Sequence, residues 1–209
     1  LTVAQMAAAD RAAIAGGLDE AALMEAAAAA VTRRALELLS PGAAVLVLCG
    51  PGNNGGDGFA VARQLRARGH AVTLAATQPA AAYRGAAGVM AGRWEGAVEP
   101  LAAKHGERTD DLVVDALFGA GLNRPLEGSA AAVVAALNRR GARVLAVDVP
   151  SGVAGDSGEA LGALAAQAIA TVTFCRKKPA HLLLPGRALC GEIAVADIGI
   201  PDAVRGHVD

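Results

Sequence analysis

Aromatic residues are nearly missing from this chain. It has one Trp, one Tyr and three Phe in 209 residues, or 2% of the total. A surface that stacks bases needs several aromatics, so nucleic acid is not an expected partner. Charge points the same way. Nineteen Lys and Arg against twenty Asp and Glu leave a formal net charge of −1, which gives no electrostatic handle for nucleic acid or an anionic membrane. No apolar run approaches the roughly 20 residues that span a bilayer. No secretory signal is visible, so a cytoplasmic protein without a membrane partner is expected. Cysteine is scarce too. Cys49, Cys175 and Cys190 are odd in number and lack paired spacing, which argues against a disulfide framework or a zinc site. Each lies beside or within an apolar run and reads as small core filler. The histidines, His70, His105, His181 and His207, are scattered and form no ligand pattern. His181 stands out only for its setting in an unusual segment.

What is present is apolar patterning on a scale that fills one domain, taken as residues 1–209, with 54% hydrophobic residues. The first forty residues are helical in character. Ala4–Ala15 is one segment, and Asp19–Leu39 is a longer one with Asp19 as N-cap. Both are Ala-rich, which favours close packing, and the pair is expected to lie across a sheet face. Strands and helices then alternate. Strands are predicted at Ala43–Cys49, His70–Ala76, Asp111–Asp115, Arg143–Asp148, Ala170–Phe174 and Glu192–Ile198. Helices are predicted at Gly58–Arg68, Ala82–Trp94, Ser129–Arg140 and Leu161–Ala168. This alternation predicts a three-layer αβα, Rossmann-like fold, with a mostly parallel central sheet and helices on both faces. Ligands of such sheets bind at the carboxyl ends of the strands.

The most informative stretch is Gly50-Pro51-Gly52-Asn53-Asn54-Gly55-Gly56-Asp57-Gly58, between a predicted strand and a predicted helix. Its glycines admit a close-lying ligand, and the following helix N-terminus suits phosphate. Asn53, Asn54 and Asp57 add oxygen ligands and an acid–base group, which phosphate binding alone does not need. Gly50, Gly52 and Gly55 also match the dinucleotide spacing G-x-G-x-x-G. That reading requires a ribose-holding carboxylate at the end of the next strand, where this chain has Thr77-Gln78-Pro79. A Walker-type loop fails as well, because no Lys-Ser/Thr pair follows the glycines.

Two further acids end apolar strands. Asp115 follows Val113-Val114 and leads into Ala116-Leu117-Phe118-Gly119-Ala120-Gly121-Leu122-Asn123-Arg124-Pro125. Asp148 follows Val147 and leads into Val149-Pro150-Ser151-Gly152. Any one of these acids reads as a turn cap. All three on one sheet edge point to a site. The basic run Arg176-Lys177-Lys178 reads as a solvated face, with a phosphate-attracting rim as the alternative.

These residues resemble the YjeF N-terminal domain family, the NAD(P)H-hydrate epimerases. The matching pieces are GPGNNGGDGF at Gly50–Phe59, DALFGAGLNRP at Asp115–Pro125 and VDVPSG at Val147–Gly152. Also similar are TVTF at Thr171–Phe174, the tail from Gly191 to Pro201, and the N-terminal LTVAQMAAAD. The resemblance implies an isomerase that interconverts the R and S epimers of NADH or NADPH hydrated at C6 of the nicotinamide. It implies coupling to an ADP- or ATP-dependent dehydratase, which in some members lies on the same polypeptide. A homodimer or higher homo-oligomer is expected. Non-catalytic binding members of the same family are the alternative, with an ordinary Rossmann oxidoreductase a further rival.

By the same resemblance, Asn54, Asp115 and Ser151 match a potassium site. Asn53, Asn54, Gly55, Gly56, Asp57, the segment Gly119, Ala120, Gly121, Leu122, Asn123, Arg124 and Pro125, and Asp148 match substrate contacts. Arg124 is suited to a phosphate, or else is a solvated loop arginine. Asp148 is the leading candidate for the acid–base group and Asp57 the second. Partial desolvation is expected to push the Asp148 carboxyl upward, against the pull of a nearby cation.

Overall fold

A computed structural model describes residues 1–201 of the protein. Seven parallel strands form one sheet in the order β3-β2-β1-β4-β5-β6-β7. They are β1 (Ala44–Cys49), β2 (Ala71–Ala76), β3 (Glu99–Pro100), β4 (Leu112–Ala116), β5 (Val144–Val147), β6 (Ala170–Phe174) and β7 (Glu192–Ala196). The strand order reverses between β1 and β4, which are paired from Val45–Leu112 to Cys49–Ala116. A crevice therefore opens beyond the carboxyl ends of these two strands, where open α/β sheets bind ligands. The six predicted strands are all present. The seventh, β3, is two residues long and carries no readable periodicity.

The helices are α1 (Val3–Ala15), α2 (Glu20–Leu38), α3 (Asn53–Arg66), α4 (Gly85–Gly92), α5 (Gly128–Arg139) and the short α6 (Gly186–Leu189). Successive residues of β1 serve opposite faces of the sheet, as the period of a strand requires. Val45, Val47 and Cys49 join a core with Val31 of α2, Phe59 and Leu65 of α3, and Met90 of α4. Leu46 and Leu48 join a second core with Val133, Val134 and Leu137 of α5. Alanine serves the first face. Ala27, Ala28 and Ala35 of α2 are at most 3% exposed, which lets α2 lie close against α3. Asp19 caps α2 as its sequence predicts, with its carboxylate accepting from the Ala21 N–H at 3.1 Å.

Two expectations need correction. Helix α1 does not share the sheet face with α2. Its residues Val3 and Met6 pack on the segments that follow the strands, among them Ala120, Val149, Cys175 and Ile200. It therefore lies over the carboxyl edge, held there by a Thr2–Gln5 capping box and by the Val3 N–H, which donates to Asp156 Oδ1 at 2.7 Å. The predicted helix over Leu161–Ala168 shrinks to a single 3₁₀ turn, Leu161–Ala163. Positive φ values at Gly162 and Ala163 take the chain out of helical geometry there.

Candidate active site

The glycine-rich stretch is less of a loop than its composition suggests. Helix α3 begins at Asn53, five residues before the predicted start, with Gly52 extended as N-cap. Glycine in a helix costs about 1 kcal/mol per residue relative to alanine. Close packing explains why it is used. A Cβ on Gly55 would stand 1.9 Å from the Gly50 carbonyl oxygen, and one on Gly56 would stand 2.6 Å from Ala87 Cβ. Gly55 and Gly56 are therefore buried against protein rather than facing a ligand. Gly52 has nothing within 4 Å of its Cβ position and faces the crevice. The turn before the helix is pinned by Tyr83, whose hydroxyl donates to the Gly50 carbonyl at 2.7 Å.

Beneath the crevice lies a buried pair from β4 and the segment after β5. Asp115 and Ser151 are at most 1% exposed. Asp115 accepts from the Ser151 hydroxyl at 2.6 Å and from the Ser151 N–H at 2.8 Å. The Phe118 N–H in turn donates to Ser151 Oγ at 2.9 Å. Burial pushes the Asp115 carboxyl up, and bonds from Ser151 and Leu117 offset this only in part. No basic side chain pairs with it among the described residues. Asn54 lies against the next residue of the same segment, with its Oδ1 3.2 Å from where a Gly119 Cβ would stand. The Asn54 Nδ2 is buried and has no hydrogen-bond partner.

Asp148 sits in a different setting. Its φ is +70°, a region that Asp tolerates better than most residues. Its Oδ1 accepts from Lys178 Nζ at 2.6 Å and from Thr173 Oγ1 at 3.0 Å, and its Oδ2 accepts from the Ala120 N–H at 2.9 Å. Burial raises its carboxyl, but the Lys178 ammonium and these hydrogen bonds more than reverse the effect, so Asp148 lies below its ordinary value. The expected upward push from burial is present but outweighed, and the cation that opposes it is a side chain of this chain, Lys178. His181 completes the cage. Its Nδ1 accepts from the Lys178 N–H at 2.9 Å, so Nε2 carries the proton and donates to the Asp148 carbonyl at 2.8 Å. Burial holds the His181 imidazole below its ordinary value and keeps it neutral. The basic run also needs correction. Arg176 and Lys177 are exposed, whereas Lys178 is 5% exposed and turned inward.

Asp57, on the second turn of α3, is the counterpart. It is 8% exposed and makes no ion pair among the described residues. Burial, then the charge of Asp148, push its carboxyl well above the ordinary value, against the pull of Lys178. So the two candidate acids are driven apart, Asp148 toward the anion and Asp57 toward the acid. Divergence of this kind marks acid–base sites.

One cavity of about 640 Å³ joins these groups. Asn53, Asn54, Asp57, the segment Gly119–Arg124, Asp148 and Lys178 line it, while Gly55, Gly56, Pro125, Asp115 and Ser151 do not. Arg124 is exposed at its rim. The other wall is helical and was not anticipated. It comes from α1 and α2 and includes Met6, Asp10, Leu23 and Met24. The one sequence signal for Asp10 is a charged residue on an otherwise apolar helical stripe, which by itself does not mark a cavity wall.

Fold and site together define a Rossmann-like α/β protein with a largely apolar cavity at its strand ends into which a few carboxyl groups and one lysine converge. Residues 20–180 match the family described as YjeF-related protein N-terminus, and the chain belongs to that family. It is 44% identical over 211 residues to an NAD(P)H-hydrate epimerase of Rhodobacter capsulatus, covering 96% of this chain and 98% of that protein. It is 42% identical over 200 residues to a bifunctional NAD(P)H-hydrate repair enzyme of Thermofilum pendens, covering 90% of this chain and 37% of that protein. The solved structure of yeast ynu0 shares the fold, with a TM-score of 0.64 at 20% identity over 87% of this chain and 79% of that one.

Proposed function

We infer that this chain is an NAD(P)H-hydrate epimerase. A hydroxyl at C6 of the reduced nicotinamide ring, next to the ring nitrogen, is a hemiaminal. Protonation lets it leave as water while the nitrogen lone pair forms a C=N⁺ bond, and water then adds back to either face. The reaction needs a proton donor and an environment that tolerates a ring cation. Asp57 is suited to the first task. Asp148, fixed as an anion by Lys178, is suited to the second. This reverses the ranking that the sequence alone suggests, in which Asp148 carries the proton. The observation that carries the reading is the pairing of a proton-retaining Asp57 with a caged Asp148 in one cavity.

The N-terminus of α3, open at Gly52 and Asn53, and the facing Gly119–Arg124 segment are suited to the pyrophosphate. Potassium fits Asn54, Asp115 and Ser151. The donors are an amide, a carboxylate and a hydroxyl oxygen, and the buried Asp115 lacks a basic partner, as a carboxylate facing a cation would. When bound, the ion would supply the charge that offsets Asp115. A dehydratase acting on the product is the natural companion, since the bifunctional relatives are named as repair enzymes for the same hydrate. Cys49 and Cys190 are buried thiols, which suits a cytoplasmic setting.

The test is to supply R-enriched hydrate with an S-specific dehydratase. Rapid disappearance of the whole pool supports epimerisation. Consumption of the R form only at the rate seen without the protein marks a non-catalytic binding member.

A further inference from the structure

Helix α1 presents one stripe to the cavity: Val3, Met6, Ala7, Asp10 and Ile14. The spacings of three, four and seven residues place them on a single helical face. Asp10 is the one charge on that stripe. Aspartate is a poor residue for a helix interior, and this helix otherwise favours alanine, so its place needs another reason. Asp10 is half-buried and makes no hydrogen bond or ion pair with another side chain among the described residues. The charged groups that act on it are Lys178, Asp148, Arg11 and Glu20. Asp57 in turn feels Asp148, Lys178 and Asp10.

The cavity lining thus holds four carboxyl groups, Asp10, Glu20, Asp57 and Asp148, with the Lys178 ammonium inside and the Arg124 guanidinium at the rim. Lys178 is committed to Asp148 at 2.6 Å. Asp57 and Asp10 make no ion pair among the described residues, and they come from different walls, the second turn of α3 and the overlying α1. Burial raises both, and ionising one makes ionising the other harder.

We propose that Asp10 is the second proton-carrying group of the epimerase, serving one face of the nicotinamide ring while Asp57 serves the other. The inference rests on the epimerase reading above. In one direction the Asp57 carboxyl gives its proton to the C6 hydroxyl, the C–O bond breaks, and water departs with the C=N⁺ bond formed. A water on the α1 side then adds to C6 and yields its proton to the Asp10 carboxylate. The substrate is inverted and one proton has passed from Asp57 to Asp10. The reverse direction starts from protonated Asp10. Solvent resets the pair through the open cavity.

A single-acid site and a two-acid site differ in isotope exchange. The wild-type enzyme is incubated in ¹⁸O-labelled water with each purified epimer, beside Asp10→Asn, Asp10→Glu and Asp57→Asn, and label at C6 is read by mass spectrometry after separating the epimers. Loss of epimerisation by about 100-fold is expected for Asp10→Asn. That variant should still wash label into one epimer with retention, because Asp57 can expel and return water on its own face. Asp57→Asn should label the other epimer instead, and Asp10→Glu should recover part of the epimerisation. Epimerisation by Asp10→Asn at the wild-type rate overturns the proposal. So does loss of exchange from both epimers in a variant whose circular dichroism and melting match wild type, since that marks a binding or structural role. A wild-type protein that epimerises neither hydrate overturns the activity itself, and this is seen before any variant is made.

Discussion

Lys178 Nζ and Asp148 Oδ1 lie 2.6 Å apart, and the lysine side chain is 6% exposed. The carboxyl of an aspartate at the end of a strand is thereby held below its ordinary value by a lysine from the segment after β6. The pair decides which acid in the cavity keeps a proton, because the Asp148 charge is among the forces that raise Asp57.

Replacing Lys178 with Met tests that relationship. Stranding one member of a buried ion pair costs roughly 3–5 kcal/mol. Here the cost should be smaller, because Asp148 can take up a proton. In the wild type, Asp148 sits below its unfolded value. Its contribution to stability is therefore complete above about pH 4 and is lost as pH falls through the folded-state value. In Lys178→Met that acid-side loss should vanish, and the protein should melt earlier at neutral pH. Turnover should fall by at least tenfold, with a new acid limb in the pH profile of kcat. Melting and turnover equal to wild type at pH 7 would show that the ammonium has no such role.

Asp57 carries the opposite sign. Its folded-state value is raised, so the folded chain holds more protons than the unfolded chain between the ordinary carboxylate pKa and the raised one. Stability from this group falls as pH rises through that window. Asp57→Asn should therefore melt higher than wild type at pH 8, with the difference shrinking toward pH 4, while epimerisation drops about 100-fold. A variant less stable than wild type at pH 8, or one that turns over normally, would contradict the assignment of the proton to Asp57.

The sheet was legible in the sequence because each long strand is an apolar run. The strand-end acids were legible because Asp115 and Asp148 interrupt those runs at their carboxyl ends. The start of α3 was not, since Gly55 and Gly56 read as a loop until the close approach of Gly50 and Ala87 is seen. Lys178 was hidden by Arg176 and Lys177. Nothing local distinguishes the inward member of a basic run, and its partner lies thirty residues earlier. Asp10 was missed because a helical stripe shows which residues share a face but not that the face overlies a cavity.

Asp115 and Ser151 give the potassium proposal a direct test. Asp115→Asn keeps the shape of the side chain but removes the charge, and one of its oxygens becomes an amide nitrogen facing either the Ser151 N–H or its hydroxyl. Wild-type turnover should rise with added potassium at constant ionic strength, with sodium as the balancing ion. Asp115→Asn should flatten that response, and its melting temperature should lose any potassium dependence shown by wild type. If wild type responds equally to sodium and potassium in both turnover and melting, these donors do not form a selective site.

Gly52 and Gly55 separate ligand approach from packing. A Cβ on Gly55 would lie 1.9 Å from the Gly50 carbonyl oxygen, which is main chain and cannot rotate away. Gly55→Ala should therefore displace the turn after β1, at a cost of about 1–3 kcal/mol typical of overpacking. The damage should spread to Tyr83, which donates to that same carbonyl. Gly52 has no atom within 4 Å of its Cβ position and lines the cavity. Gly52→Ala should melt within a degree or two of wild type yet bind NADPH, as a stand-in for the hydrate, more weakly, because its methyl group projects where the pyrophosphate would approach the helix N-terminus. Melting curves and NADPH titrations on the two variants give the answer. A Gly52→Ala protein with undiminished affinity would move the pyrophosphate away from the N-terminus of α3.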